Sequence, residues 1–285
     1  MKNQYYLNLK PCQFKRKFGV TIKTFKAMVD ALKNFRLENL KDRRGRHKTL
    51  TIEEEILVTL EYWREYRTYF HIGTTWGVSE STIWRTVNEI ELTLMKSGKF
   101  RIPGKKALLK GFDYPEIVVM DVTETPIERP KRRQKQYYSG QKKLHTLKSQ
   151  LVINQATKEI ICVAFGPGHS HDFSLFKKSN THFHPQTYSL QDSGYQGIKN
   201  YHSHSYIPKK KPPKGTLSTL EKDYNRTLAQ ERIVIEHVNC RLKIFKILSS
   251  RYRNRRRRYG LRCNLLSAIY NYELANRASN QNSSL

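Results

Sequence analysis

The feature that most constrains this chain is a change of hydrophobic period about a third of the way along it. In the first hundred residues, apolar side chains recur at helical spacing. Phe25, Met28, Val29 and Leu32 do so in "TIKTFKAMVDALKNF", and Ile56, Leu57 and Leu60 in "LTIEEEILVTLEYWREY". Thr51, with Glu54 three residues later, has the spacing of a capping box. After the basic joint "KDRRGRHKT" and the second helix comes "KSGKFRIPGKKALLKGF", rich in Gly, Pro and Lys, which reads as a linker. Beyond it the apolar residues fall in short strand-like runs, "EIVVMDVTETPI", "HTLKSQLVINQ" and "EIICVAFG". The last two are joined by "ATK" as a hairpin. A short helix "DFSLFKKS", a strand-like "TYSLQD" and a short strand with a basic loop, "SYIPKKKPPKGT", complete this part. A long helix is then expected over about 221 to 248, with Ser218 and Glu221 at capping-box spacing. The order is that of an α/β protein with an all-helical N-terminal region. Its expected divisions are a helical region 1–100, a linker 101–112, an α/β domain 113–276 and a disordered tail 277–285.

Within the helical region, residues 66–95 read as a helix-turn-helix. A first helix ends near Trp76, Gly77 permits the turn, and Ser79 caps a second helix from about Glu80. That second helix turns Ile83, Val87 and Ile90 inward and leaves Ser81, Thr82 and Arg85 outward near its start, where such motifs read major-groove edges. Trp63, Trp76 and Trp84 read as packing residues.

Charge names the class of partner. Lys and Arg number 53 against 24 Asp and Glu, a net charge of +29, so a polyanion is the natural ligand. Over residues 205–262 alone there are 17 basic residues against 4 acidic. Lys209, Lys210 and Lys211 in "KKKPPKG", Arg255, Arg256 and Arg257 in "RNRRRR", and Lys131, Arg132 and Arg133 in "PKRRQKQYYSGQKK" are expected to contact phosphates. The last stretch also carries Tyr137 and Tyr138, candidates for stacking on unpaired bases. No apolar run approaches the ~20 residues of a membrane span, and "MKNQYYLNLK" lacks the apolar core of a secretory signal. Four cysteines without a C-x-x-C pair suit a reducing compartment. A cytoplasmic, nucleoid-associated protein with no membrane partner is expected.

In so basic a chain the acids stand out. Asp occurs seven times. Asp121 is expected to end the first core strand, and Asp192 to end "TYSLQ", just before "SGYQG". On the long helix, Arg232, Glu236, Asn239 and Lys243 share one polar stripe within roughly 60°, on an otherwise apolar surface expected to be deeply packed. Three converging carboxylates suit Mg²⁺ or Mn²⁺, and two such ions can serve phosphodiester chemistry. Asp172, preceded by His171, reads as a helix N-cap or as a residue supporting the metal ligands from behind. Three His-x-His pairs, His169/His171, His182/His184 and His202/His204, lack a fitting Cys set and are not read as a zinc site.

In the order helix-turn-helix, "VVMDVTETPIERP", "YYSGQKKLHTLK", "GHSHDFSLF", "DSGYQG" and "RIVIEHVNCRLKIFKIL", the chain resembles bacterial insertion-sequence transposases of the DDE superfamily. It looks most like insertion-sequence family five, related to PIF/Harbinger elements, over residues 15 to 274. The resemblance implies an RNase H-like catalytic domain with Asp121, Asp192 and Glu236 as catalytic, metal-holding residues. The family pattern Y-x₂-R-x₃-E-x₆-K is met by Arg232, Glu236 and Lys243, whereas Ala229 stands in place of the Tyr. It further implies two Mg²⁺ or Mn²⁺ ions and double-stranded DNA, both terminal inverted repeats and target, as partner. Cleavage at the element ends followed by attack of the 3′-OH on target DNA is implied, within a homodimer or larger complex. The rival expectations are a metal-dependent endonuclease that cuts without joining and a catalytically silent DNA-binding regulator.

Overall fold

The computed structural model describes residues 8–39, 48–109 and 114–282, and the side chains among these up to 277. Most of the basic joint, residues 110–113 of the expected linker and residues 283–285 of the expected tail lie outside the described residues. Two compact units emerge. One comprises residues 1–101, 242–250 and 261–285, the other residues 102–241 and 251–260.

The first unit is helical. It contains α1 (Pro11–Phe18), α2 (Ile22–Glu38), α3 (Ile52–Glu65), α4 (Tyr69–Trp76) and α5 (Glu80–Lys96). Each of the last four starts at a hydroxyl residue, Thr21, Thr51, Thr68 or Ser79, whose side chain accepts from the N–H three residues on. At Thr51 the reciprocal Glu54 bond completes the capping box. Gly77, at φ 67°, ends α4, so the expected helix-turn-helix is present. Ile83, Val87 and Ile90 are fully buried.

Trp84 departs from expectation: it is 54% exposed. One turn from Ser81 and beside Arg85, it points outward with them, while Trp63 and Trp76 are buried.

The second unit is a mixed sheet with helices. Its strands are β1 (Ile117–Pro126), β2 (Tyr138–Ser139), β3 (Leu144–Asn154), β4 (Ile160–Pro167), β5 (Tyr188–Leu190) and β6 (Ser205–Tyr206). A one-turn helix, α6 (Gln134–Tyr137), precedes β2, and α7 (Asp172–Ser179) follows β4. β1 lies at the centre, antiparallel to β3 and parallel to β5; β4 extends the antiparallel side and β6 the parallel side. Alternation along β1 sends Val118, Met120 and Val122 to one face, where they pack with Val152, Cys162, Phe176 and Tyr195.

Three boundaries differ from those expected. The linker is partly core: a single 3₁₀ turn at Lys105–Leu108 buries Leu108 in the sheet unit's cluster, and Gly104 N–H donates to Ile161 O. The long helix, α8 (Thr219–Lys243), stops short of 248; Phe245 is extended and a one-turn α9 (Lys246–Ser249) follows. Finally, α10 (Tyr259–Asn282) is helical through most of the expected tail, and residues 261–285 group with the helical unit. Glu273 explains that grouping by accepting from Lys15 Nζ, Thr21 N–H and Thr24 Oγ1 at 2.5–3.1 Å. Among the described residues no helix is long and apolar enough to cross a membrane.

Candidate active site

Asp121 does not end its strand. It is the fifth residue of β1, which runs on to Pro126 because β3 stays paired with it through Pro126↔Thr146. The alternation that turns Met120 and Val122 toward the apolar cluster puts Asp121 on the opposite face, where Asn239 Nδ2 of α8 donates to its Oδ2 at 3.2 Å.

Register sets its first partner. The parallel pairing of β1 with β5 ends at Val119↔Leu190, and Asp121 and Asp192 each lie two residues further on. The parallel register thus brings Asp121, within β1, alongside Asp192, just beyond the end of β5. Asp192 caps a 3₁₀ turn, its Oδ1 accepting from Gly194 N–H at 2.9 Å.

Asp172 joins them from α7. A Cβ on Gly194 would lie 3.0 Å from both Asp172 Oδ2 and Asp192 Oδ1, so a glycine is what lets these two acids share the space. Asp172 is not the N-cap expected of it: His171 holds that position, without a side-chain capping bond. Its carboxylate is engaged instead by Lys148 Nζ at 2.8 Å, a lysine only 8% exposed that also lies 3.6 Å from Glu124.

Electrostatics register the crowding. Burial pushes the Asp121 carboxyl up, Arg232 opposes this, and the charges of Asp192 and Asp172 push it further, to about 6. The buried phenol of Tyr195 is raised well above its usual range by burial and by the same three aspartates.

Glu236 is carried by α8. It lies on the α8 stripe between Arg232 and Asn239, both of which act on Asp121, but its side chain is exposed. Among the described residues no group of three His, Cys, Asp or Glu is close enough to hold an ion, so the three-carboxylate cluster expected of Asp121, Asp192 and Glu236 is not drawn together here. The stripe is also less packed than its apolar flanks suggested, since Ile233 is 49% exposed.

The surroundings nevertheless fit a hard cation and a phosphate. Asn239 Oδ1, Thr123 Oγ1 and Arg232 Nε are buried without a hydrogen-bond partner among the described residues. Oxygen donors beside repelling carboxylates are the chemistry that Mg²⁺ or Mn²⁺ satisfies with a few ligands.

Sequence reasoning missed Lys148, for which a lysine inside the strand "HTLKSQLVIN" was the available signal.

The remaining candidates lie elsewhere. Ser81 and Arg85 are exposed on α5 and Thr82 is half-buried, with Arg85 Nη2 donating to Ser81 Oγ at 3.4 Å. Lys131, Arg132, Arg133, Lys209, Lys210, Lys211, Lys243, Arg255, Arg256 and Arg257 are exposed, while Arg232 is half-buried. Asn225 of α8 clasps the Lys209 backbone through both N–H and C=O. Tyr137 is not free to stack, because the Arg256 guanidinium covers its ring at 4.4 Å. Of the paired histidines, His184 stacks on Tyr114, His204 on Tyr188, and His202 Nε2 bonds to Thr187 O at 2.6 Å.

The sequence also matches known proteins. Residues 120–271 match the model of the DDE superfamily endonuclease, and residues 48–100 the helix-turn-helix of DDE superfamily endonuclease. A protein of Microchaete diplosiphon is 52% identical over 278 residues, covering 98% of this chain and 100% of the relative. One from Streptomyces albus G is 24% identical over 210 residues, 72% of this chain and 74% of the relative. Both carry transposase names, for insertion sequence elements IS702 and IS112. A helix-turn-helix followed by an RNase H-like mixed sheet is thus joined to a match over more than half the chain, and the protein belongs to the DDE superfamily of endonucleases as an insertion-sequence transposase.

Proposed function

We propose that the protein binds the terminal inverted repeats of its element, cuts the phosphodiester at each end and joins the freed 3′-OH to target DNA. The observation that carries this reading is the coupling in charge of Asp121, on the central strand, with Asp192 just past the end of its parallel neighbour, while Asn239 on the polar stripe of α8 bonds to Asp121. Asp121 and Asp192 would hold two divalent ions, with Glu236 completing the second position. When bound, Mg²⁺ or Mn²⁺ supplies Lewis-acid stabilisation of the phosphoryl group and lowers the pKa of the attacking hydroxyl.

The chain's own residues orient and neutralise. Asn239 fixes one oxygen of Asp121. Arg232 brings positive charge against Asp121, where a phosphate must sit. Lys148 engages Asp172, whose other oxygen faces the space shared with Asp192. Ser81, Thr82 and Arg85 would read base edges from α5, and the exposed Trp84 adds an apolar contact to that surface. Lys209, Lys210, Lys211, Lys243 and the Arg255–257 run would hold phosphates. Two element ends must meet, so the working form is a dimer or larger complex on bacterial cytoplasmic DNA.

The test is an assay with terminal-repeat duplex, target plasmid and Mg²⁺. Wild-type protein is expected to give joined product, and Asp121→Asn to lose cutting by at least ~10³-fold while retaining the band shift. Undiminished cutting by that variant removes Asp121 from the mechanism, and cuts without joining would make the protein an endonuclease alone.

A further inference from the structure

Away from the carboxylates, the sheet unit holds two adjoining cavities that share Arg129. The first, about 390 Å³, is lined by Arg129, Lys131, Arg132, Arg255 and Arg256, with Glu128 as its one acid. The second, about 540 Å³, is lined by Arg129, Gln134, Lys135, Tyr138, His145 and His169.

The fold builds the first cavity from segments more than a hundred residues apart. Tyr252, fully buried, donates its N–H to Pro126 O at 2.8 Å and pairs in parallel with Ile127, bringing the arginine run to the end of β1. The Tyr252 hydroxyl donates to Arg257 O at 2.5 Å and fixes the following turn. In that turn Arg255, Arg256 and Arg258 adopt left-handed φ of 46°, 68° and 60°, a conformation that residues with a Cβ rarely take and that persists only where surroundings impose it.

Three of the cations gathered there are not neutralised by an acidic side chain. Lys131, Arg132 and Arg255 have no side-chain partner among the described residues. Arg129 is oriented by its Nε bond to Gln134 Oε1 at 2.9 Å, and Arg256 lies against Tyr137. Five cations around one space repel unless an anion enters.

The second cavity supplies what a phosphate site lacks. Tyr138 is 42% exposed within it, braced edge-on by His145 at 5.6 Å and 72°. An open aromatic ring beside a cluster of guanidinium groups matches the two halves of a nucleotide, base and phosphate. Duplex DNA keeps its bases stacked inside, so only an unpaired nucleotide offers both at once.

We infer that these cavities together bind an unpaired nucleotide of the DNA strand, its base on Tyr138 and its flanking phosphates among Arg129, Arg132 and Arg255. The site lies roughly 20 Å from Asp121 along β1, at ~3.3 Å per residue, so the same strand can occupy both. This rests on the proposed action on DNA.

The experiment uses the full chain and three probes: a blunt duplex, the same duplex with an unpaired thymine tail, and the tail alone. Fluorescence anisotropy should show the tailed duplex binding about 5- to 150-fold more tightly than the blunt one, as expected for one stacked base. Tyr138→Ala should abolish that preference with blunt-duplex affinity unchanged, and Tyr138→Phe should retain it. Arg255→Ala and Arg132→Ala should weaken the tailed duplex more than the blunt one and lower the slope of log affinity on log salt for the tailed duplex by ~0.7 each. Absence of a tail preference, or its survival in Tyr138→Ala, overturns the proposal. If wild-type protein still cuts terminal-repeat duplex in that case, the catalytic reading stands and this site alone is lost.

Discussion

A carboxylate in the middle of a buried strand works against folding, and at Asp121 the effect has a definite pH window. Burial first, and the charges of Asp192 and Asp172 next, outweigh Arg232 and raise its pKa from 3.8 to about 6. Between those values the folded protein keeps a proton that the unfolded chain has released. Stability is therefore undiminished by this residue below about pH 4, falls as pH rises toward 6, and is flat above, lower by ~3 kcal/mol. Asp121→Asn preserves an oxygen to accept from Asn239 and removes the charge. In metal-free protein it should raise unfolding free energy by up to ~3 kcal/mol at neutral pH and leave it unchanged near pH 4. Urea titrations with chelator at the two pH values measure this; equal gains at both would show that charge is not the source. The residue's type and its apolar neighbours were plain in the sequence. Its place in mid-strand was not, because only the β3 partner shows how far β1 continues.

At the scale of elements, the turn between α4 and α5 depends on two glycines for different reasons. Gly77 takes a left-handed φ, which a sequence reader anticipates from its place after Trp76. Gly73 has no such φ, but a Cβ there would lie 2.6 Å from Val78 O, and Val78 N–H donates to Gly73 O at 3.0 Å. The turn closes directly over it. Gly73→Ala must push the turn away and should cost ~1–3 kcal/mol, with weaker duplex binding through the displaced α5. Gly140→Ala, with nothing within 4 Å of the added methyl, is the matched control. Thermal unfolding and band shifts on both variants check this, and a neutral Gly73→Ala would show that the turn relaxes freely. Caps at Thr51 and Ser79 were legible because a cap is a local bond; Gly73's role arises from packing across the turn.

Across the whole molecule, the helical unit is closed by the end of the chain. Glu91, fully buried, accepts from Trp63 Nε1 at 3.0 Å and from Arg262 Nε at 2.6 Å, joining residues 171 positions apart. Removing one member strands the other charge. Arg262→Met is expected to destabilise this unit by ~3–5 kcal/mol, and adding Glu91→Gln should restore much of the loss. Tryptophan fluorescence reports on this unit alone, since all three tryptophans, Trp63, Trp76 and Trp84, lie in it. A double variant no better than Arg262→Met would show that packing rather than charge is at stake.

By itself the sequence determined everything carried by short-range periodicity and composition. Most helical and strand segments, the helix-turn-helix, the hairpin of β3 and β4 and the basic surface were legible, because each depends on neighbours a few residues away. Tertiary structure alone decided which charges meet. Parallel register put Asp121 beside Asp192, a missing Cβ at Gly194 admitted Asp172, and Lys148 came to Asp172 from β3. It also left Glu236 exposed, turned Trp84 outward and drew α10 into the helical unit. Those outcomes depend on distances between segments far apart in the chain, which only the packing of helices and the pairing of strands can set.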